Sequence, residues 1–196
     1  MLAKLDVTDE AQVEAVFAEI TRRWGKLDFL LHSIAFAPKA DLQGRVLDSS
    51  VEGFKVAMDI SCHSLIRLAR HAEPLMKDGG SILTMSYYGA EKAIDNYNLM
   101  GPVKAALEAS VRYLARELGE QSIRVNALSP GPVKTRAASG LSHFDALMEK
   151  AAQHAPIRSL VSIEQVGEAA AFLVSDNAKN ITGQTIYVDN GYNTIG

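Results

Sequence analysis

The chain has 196 residues, and at about 150 residues per domain this length predicts one domain with a sizeable core. Apolar residues make up 47% of the chain and charged residues 22%, which is typical of a globular protein and excludes low-complexity disorder. The formal net charge is −3, and without a basic excess the sequence predicts no nucleic-acid partner.

The first half of the chain alternates between apolar strands and helical patterns. Residues 2–7 form a short apolar run that predicts a strand, and residues 11–24 carry apolar side chains at helical spacing. Residues 29–34 predict a nearly continuous apolar strand. A long helix is predicted over residues 49–76, and a buried strand over residues 81–85.

The second half continues the same alternation. The clearest helical pattern of the chain covers residues 102–118, and a strand is predicted over residues 125–128. Residues 143–154 and 163–175 predict two further helices, and residues 185–188 predict a last strand. No internal repeat or linker interrupts this order, so residues 1–196 are predicted to form a single domain.

Strands that are apolar throughout and alternate with helices predict a parallel sheet covered on both faces, which is a doubly wound, Rossmann-like α/β fold. In such sheets ligands bind at the carboxyl ends of the strands. The candidate site residues are therefore those that directly follow Val7, Ile34, Met85 and Leu128.

A phosphate-binding loop is missing from the sequence, because no G-x-G-x-x-G or P-loop spacing occurs among its glycines. Two interpretations follow: either the fold binds no nucleotide, or the chain begins partway through a doubly wound domain. The residues described next favour the second interpretation.

A tyrosine and a lysine stand out at the start of the long helix. Tyr97, Gly101 and Lys104 are spaced i, i+4 and i+7, so one helical face would carry a hydroxyl, bare backbone and an ammonium. A fixed cation favours the ionised form of a tyrosine and makes it a better proton donor. The alternative is that Lys104 only pairs with Glu108, one turn further along.

A second tyrosine–lysine pair is also present. Tyr88 and Lys92 match the Tyr-x3-Lys spacing that is common in short-chain dehydrogenases. Tyr88 lies only three residues beyond the strand that ends at Met85, however, whereas Tyr97 is predicted to open a long helix that would hold it rigidly. Tyr97 and Lys104 are therefore the preferred pair.

Several segments together resemble the bacterial enoyl-acyl-carrier-protein reductases of the short-chain dehydrogenase superfamily, and the resemblance extends over essentially the whole chain. The two tyrosines Tyr87 and Tyr97, ten residues apart, with Lys104 seven residues after the second, are typical of this branch. The segments that carry the resemblance are residues 32–38, 86–91, 96–105, 124–135, 137–140, 181–184 and 188–189.

The resemblance implies catalytic and substrate-binding roles. Tyr97 and Lys104 would be the catalytic pair, with Lys104 also bound to the nicotinamide ribose. Tyr87 would be the second active-site tyrosine and would contact the acyl thioester, and Ala37 would line the acyl site.

The resemblance also implies a cofactor site for NADH, with NADPH not excluded. Asp6 and Val7 would hold the adenine end, and Ile34 would line the site. A further segment would pass the nicotinamide amide and the diphosphate; its residues are Val133, Lys134, Thr135, Arg136 and Ala137.

The implied reaction belongs to fatty acid biosynthesis. Hydride would pass from NADH to the β-carbon of a trans-2-enoyl thioester that is linked to acyl-carrier protein, and the enzyme would be a homotetramer. A carbonyl reductase of the same superfamily is the alternative enzyme. The third possibility is a non-catalytic fragment, because the family's first two strand–helix units, with the glycine-rich segment, are absent. On that basis the chain alone would bind NADH weakly or not at all and show little reductase activity.

The sequence also bears on the cellular compartment and on metal binding. No stretch approaches about 18 apolar residues, and the first six residues lack the apolar core of a signal peptide, so neither a membrane span nor secretion is predicted. The single cysteine, Cys62, fits a reducing compartment, and a cytoplasmic location is expected. No spacing of His, Cys or carboxylate residues predicts a metal site.

Overall fold

The fold was analysed on a computed structural model that describes residues 1–133 and 144–195. Four strands form one parallel sheet in the order β1 to β4: Phe29–His32, Gly80–Met85, Ile123–Pro130 and Thr185–Val188. In the ladder Leu31 is opposite Leu83, and Leu128 is opposite Ile186. The predicted parallel α/β fold is therefore confirmed.

Seven α-helices connect and flank the strands within the described residues. They are α1 Glu10–Trp24, α2 Lys39–Leu42, α3 Val51–Met58, α4 Ser64–Ala72, α5 Met100–Leu118, α6 Phe144–His154 and α7 Ile163–Val174. Helix α1 begins because the Asp9 side chain accepts the backbone N–H of Gln12, and it ends at Gly25, whose φ of 71° few other residues adopt.

Helices cover both faces of the sheet, and successive residues of each strand point to opposite faces. Ile82 and Val125 belong to the larger core, which includes residues of α1, α4 and α5. Leu83 and Leu128 lie on the other face and pack with Leu173 of α7. Both faces of β2 and β3 are buried, so apolar residues occur at consecutive positions, such as Ile82 and Leu83, rather than only at alternate ones.

The predicted strand over residues 2–7 is wrong. The backbone there makes no ladder, and the Leu2 side chain is 100% exposed, although Val7 is buried. A strand forms only where its N–H and C=O groups bond to a neighbour, and none of the four described strands lies beside this segment. Apolar residues alone therefore do not make it a strand.

The predicted helix over residues 49–76 is interrupted. Between α3 and α4 the chain makes one π-helical turn, Asp59–His63, and a 3₁₀ turn, Glu73–Leu75, follows α4. A π-turn carries an extra residue and re-aims the side chains around it, which is why such turns are common at functional sites. Among the described residues no helix combines the length and apolar character that crossing a membrane would require.

Candidate active site

A cavity of ≈ 390 Å³ opens at the carboxyl end of the sheet, where the sequence predicted the site. Its wall includes residues that follow β1, β2 and β3 and residues of α5 and α6. Six of the predicted site residues line it: Ile34, Ala37, Tyr87, Tyr97, Lys104 and Val133. The fold therefore brings together side chains that are up to about a hundred positions apart in the sequence.

Lys104 enters the cavity wall from the first turns of α5. Its Nζ donates a hydrogen bond of 2.6 Å to the backbone carbonyl of Met85, the last residue of β2, and the side chain is only 5% exposed. Burial lowers the pKa of Lys104 from 10.5 to about 8, and the nearby Glu108 carboxylate opposes that shift. The ammonium is thus held at the strand end rather than in solvent.

The simple Lys104–Glu108 pair that the spacing allowed does not form. Among the ion pairs of residues 1–133 and 144–195, none joins these two side chains. Glu108 instead accepts a hydrogen bond from the Ser86 hydroxyl. Both side chains therefore bind the end of β2, at successive residues.

Tyr97 does not open the long helix, which corrects the expectation from sequence. Helix α5 begins at Met100, and Tyr97 lies in the turn before it, between Asn96 and Asn98. These two asparagines have φ values of 62° and 45°, and the second donates a 2.9 Å hydrogen bond to the carbonyl of Leu42. Tyr97 is thus positioned by a strained turn and not by helical spacing.

Gly89 makes room for the Tyr97 ring. A Cβ at this position would stand 2.7 Å from Cε1 of Tyr97 and 3.3 Å from Cδ1 of Tyr87. Neither ring has space to retreat, because Tyr97 is buried in the core and packs edge-on against Tyr87. A side chain at residue 89 would therefore displace Tyr97 from the cavity wall.

The two tyrosines of the cavity wall, Tyr87 and Tyr97, are in contact and protonated. Their ring centroids are 4.7 Å apart at an interplanar angle of 60°. Burial raises the pKa of both hydroxyls above the usual value, and the cation was expected to do the reverse for Tyr97. Desolvation dominates because Tyr97 is buried, and the neighbouring Tyr87 and Glu108 raise its pKa further. Tyr97 is therefore a hydrogen-bond donor and not a phenolate.

The Tyr87 hydroxyl is buried and has no hydrogen-bond partner among the described residues. A buried donor without a partner costs free energy, so this hydroxyl fits a ligand oxygen in the cavity. Together with the Lys104 ammonium it supplies two polar groups in a largely apolar wall. The residues present thus fit a nicotinamide ribose and an acyl thioester at this end of the sheet.

The rival pair is separated. Tyr88 packs into a different cluster, with its ring 6.0 Å from that of Tyr192, and Lys92 is exposed. Tyr88 and Lys92 are not among the residues that line the cavity. The preference for Tyr97 and Lys104 therefore agrees with the geometry.

The predicted adenine-side residues do not line this cavity. The Asp6 carboxylate accepts the backbone N–H and the hydroxyl of Thr8, at 2.9 Å and 2.7 Å, and these bonds lower its pKa. Val7 is buried in the core, and its carbonyl accepts from Arg67. Lys134, Thr135, Arg136 and Ala137 lie outside the described residues. The cofactor roles of all six stay predictions.

Two buried polar side chains, Ser61 and His32, support the structure around the end of β1. On the π-turn, the Ser61 hydroxyl accepts the N–H of Phe36 and donates to its carbonyl, both at 2.8 Å, and so fixes the loop after β1. His32 is buried between Thr84 and Ser64, which lie 2.8 Å from its two ring nitrogens, and burial lowers its pKa to about 4. No local pattern marks either contact, because the partners are distant in sequence.

Comparison with known proteins shows the family of this chain. The sequence matches the enoyl-(acyl carrier protein) reductase family over residues 1–193. It is 52% identical to the enoyl-acyl-carrier-protein reductase (NADH) FabI of Rickettsia typhi over 195 residues, covering 100% of this chain and 75% of the relative. A second relative, enoyl-acyl-carrier-protein reductase (NADH) 1 of Rhizobium meliloti, is 51% identical, with 72% of its length covered.

Solved structures show the same fold. The enoyl-acyl-carrier-protein reductase of Anaplasma phagocytophilum in complex with NAD superimposes with a TM-score of 0.93 at 46% identity, over 99% of this chain and 72% of that one. The Bacillus cereus reductase with NADP⁺ and indole naphthyridinone gives a TM-score of 0.97 at 43% identity, over 100% and 76%. The chain thus spans about three quarters of these relatives, and it belongs to the enoyl-(acyl carrier protein) reductase family.

Proposed function

We propose that this chain reduces trans-2-enoyl thioesters of acyl-carrier protein with NADH, as a step of fatty acid biosynthesis. The observation that carries the proposal is the meeting of Tyr87, Tyr97 and Lys104 in one cavity at the carboxyl end of the sheet. The relatives' names, which specify NADH and enoyl-acyl-carrier-protein, support the same activity.

The chemistry requires a donor at the thioester oxygen. Bound NADH would supply a hydride to the β-carbon; the electron pair of the carbon–carbon double bond would shift so that the thioester carbonyl oxygen becomes an enolate, and a proton from water would then add at the α-carbon. Tyr97 donates a hydrogen bond to that oxygen, where charge develops and a fixed donor is most effective. Its raised pKa suits this role, because a protonated hydroxyl is needed at neutral pH.

Lys104, Ile34 and Val133 form the cofactor side of the proposed site. Lys104 binds the nicotinamide ribose through its ammonium, which is charged below pH about 8. Ile34 and Val133 provide apolar walls on either side of it. Ala37 lies on the acyl side, where Phe144 and Leu147 of α6 add apolar surface for the chain of the substrate.

Substrate choice tests the proposal. Oxidation of NADH is followed by its absorbance with a crotonyl-type enoyl thioester and, in parallel, with a 3-ketoacyl thioester, and each is repeated with NADPH. We expect turnover of the enoyl thioester alone. Turnover of the ketoacyl substrate instead indicates a carbonyl reductase, and no oxidation of NADH with either substrate indicates the non-catalytic fragment.

Tyr87→Phe is expected to raise the KM for the enoyl thioester about 10-fold, with little change in the KM for NADH. The Tyr87 side chain lines the cavity, and its buried hydroxyl has no partner among the described residues, so we expect its loss to remove a contact to substrate only. Steady-state kinetics with each substrate varied in turn measure both constants. An increase in the KM for NADH that equals the increase for the thioester contradicts this role and moves Tyr87 to the cofactor side.

The assembly we propose is a homotetramer in the cytoplasm. Large apolar side chains are exposed on three helices, Val51 and Phe54 on α3, Ile66 on α4 and Tyr113 on α5. Exposed apolar surface favours burial against another subunit. Sedimentation velocity at micromolar concentration is expected to show tetramer, and a single monomeric species contradicts the assembly. The free, buried Cys62 is compatible with a reducing compartment.

A further inference from the structure

Helix α5 binds the end of β2 at two successive residues, immediately before Tyr87. From one turn of the helix Lys104 Nζ donates to the Met85 carbonyl at 2.6 Å. From the next turn Glu108 accepts a hydrogen bond from the Ser86 hydroxyl. The backbone N–H of Ser86 also donates to the Leu128 carbonyl at 2.8 Å, so the residue before Tyr87 is held from two sides.

The Ser86–Glu108 contact is buried, with each residue 5% exposed. Among the ion pairs of the described residues none involves Glu108. Burial raises the pKa of this carboxyl, while the hydroxyls of Ser86 and Thr185 and the charge of Arg112 oppose the shift. A buried acid without an ion pair costs stability, and an apolar residue of similar volume would cost less.

A buried acid that lowers the stability of the fold has a functional reason if it positions a neighbouring side chain that acts in the reaction. Tyr87 directly follows Ser86, and its backbone is extended, with φ −156° and ψ 148°, so it continues the direction of the strand. Its ring packs against the Tyr97 ring at 4.7 Å, and its side chain forms part of the cavity wall. A small rotation at Ser86 would therefore move the Tyr87 hydroxyl.

We propose that Glu108 is a positioning residue for the reaction: by holding the Ser86 hydroxyl it sets the position of the Tyr87 side chain in the cavity wall. This inference deepens the proposed function and rests on it for the role of Tyr87. Glu108 lies two turns into α5, away from the cavity wall itself, and so acts through Tyr87 rather than on the substrate.

A double-mutant cycle tests the coupling to Tyr87. Glu108→Ala is expected to lower kcat/KM for the enoyl thioester by up to about 10-fold, no more than the loss of the Tyr87 hydroxyl itself, with the KM for NADH unchanged, as for a misplaced active-site group. Added to Tyr87→Phe, the same change is expected to have little further effect. Glu108→Gln, which keeps an oxygen acceptor for Ser86, should restore most of the activity. Additive losses in the double variant overturn the inference.

Titration of the tyrosines gives a readout that does not depend on activity. The chain has six tyrosines, and burial raises the pKa of Tyr87. In folded Glu108→Ala we expect one more tyrosine than in wild type to ionise in the ordinary range near pH 10, measured by ultraviolet difference absorbance. This extra tyrosine should be absent from Glu108→Ala/Tyr87→Phe. Identical titrations of Glu108→Ala and wild type overturn the inference.

Controls separate this inference from the proposed function. Glu117→Gln changes an exposed acid on the same helix and should alter neither kinetics nor titration. If Glu108→Ala does not fold, as judged by thermal unfolding, Ser86→Ala removes the same contact with a smaller change and carries the same expectations. Failure of the wild type to reduce an enoyl thioester counts against the proposed function, whereas the titration decides the positioning role in either case.

Discussion

Lys104→Met is expected to lower the turnover of enoyl thioester by at least about 10²-fold and to weaken NADH binding at the same time. Methionine keeps the length of the side chain but removes the ammonium that we assign to the ribose and that the Met85 carbonyl holds. Donors fixed in a water-poor site contribute on this scale. Steady-state kinetics and calorimetric titration with NADH measure the two effects.

The same substitution is expected to change how stability depends on pH. The pKa of Lys104 is about 8 in the folded chain and 10.5 as its ordinary value, so between these values the unfolded chain binds more protons. The unfolding free energy of the wild type therefore rises, relative to that of the variant, as the pH increases from about 8 to about 10.5. The full change amounts to about 3 kcal/mol.

Denaturant unfolding of both chains at several pH values measures this difference. Below pH about 8 the wild type bears the whole cost of a buried ammonium, so there the variant has its greatest relative stability. Lys92→Met provides the matched control, because Lys92 is exposed and its loss should leave both stability and turnover unchanged. A stability difference between Lys104→Met and wild type that is constant from pH 7 to pH 10.5 contradicts the burial argument.

Tyr97→Phe is expected to lower kcat about 10²- to 10³-fold while the affinity for NADH stays near that of the wild type. Only the hydroxyl is removed, and it is the donor that we place at the developing enolate oxygen. The ring contacts with Tyr87 and the space above Gly89 are preserved, so the fold should not change. Single-turnover measurements with saturating NADH isolate the hydride-transfer step.

Tyr113→Phe is the matched control for this variant. Tyr113 also belongs to α5, but its side chain is 72% exposed and is not part of the cavity wall. It should turn over substrate at the wild-type rate. If Tyr97→Phe retains that rate as well, the assignment of Tyr97 as the donor is wrong, and the partnerless hydroxyl of Tyr87 becomes the candidate.

The sequence by itself determined the parallel α/β architecture and most of the site. The strands predicted over residues 81–85, 125–128 and 185–188 all occur, and the helix predicted over 102–118 differs by two residues at one end. The inner faces of these elements are buried, so the spacing of their apolar residues alone indicates whether each is a helix or a strand. Because the carboxyl ends of parallel strands share one edge, Tyr87, Tyr97 and Lys104 could be placed together without coordinates.

Only the tertiary structure decided which groups these side chains contact. Residues 2–7 have the apolar composition of a strand, but pairing depends on a neighbouring strand that local sequence does not encode. The sequence spacing allowed an ion pair between Lys104 and Glu108. In the structure the Lys104 ammonium instead donates to the Met85 carbonyl, and Glu108 accepts a hydrogen bond from the Ser86 hydroxyl. The protonation state of Tyr97 likewise follows from burial among distant residues, because desolvation is a property of the whole packed environment.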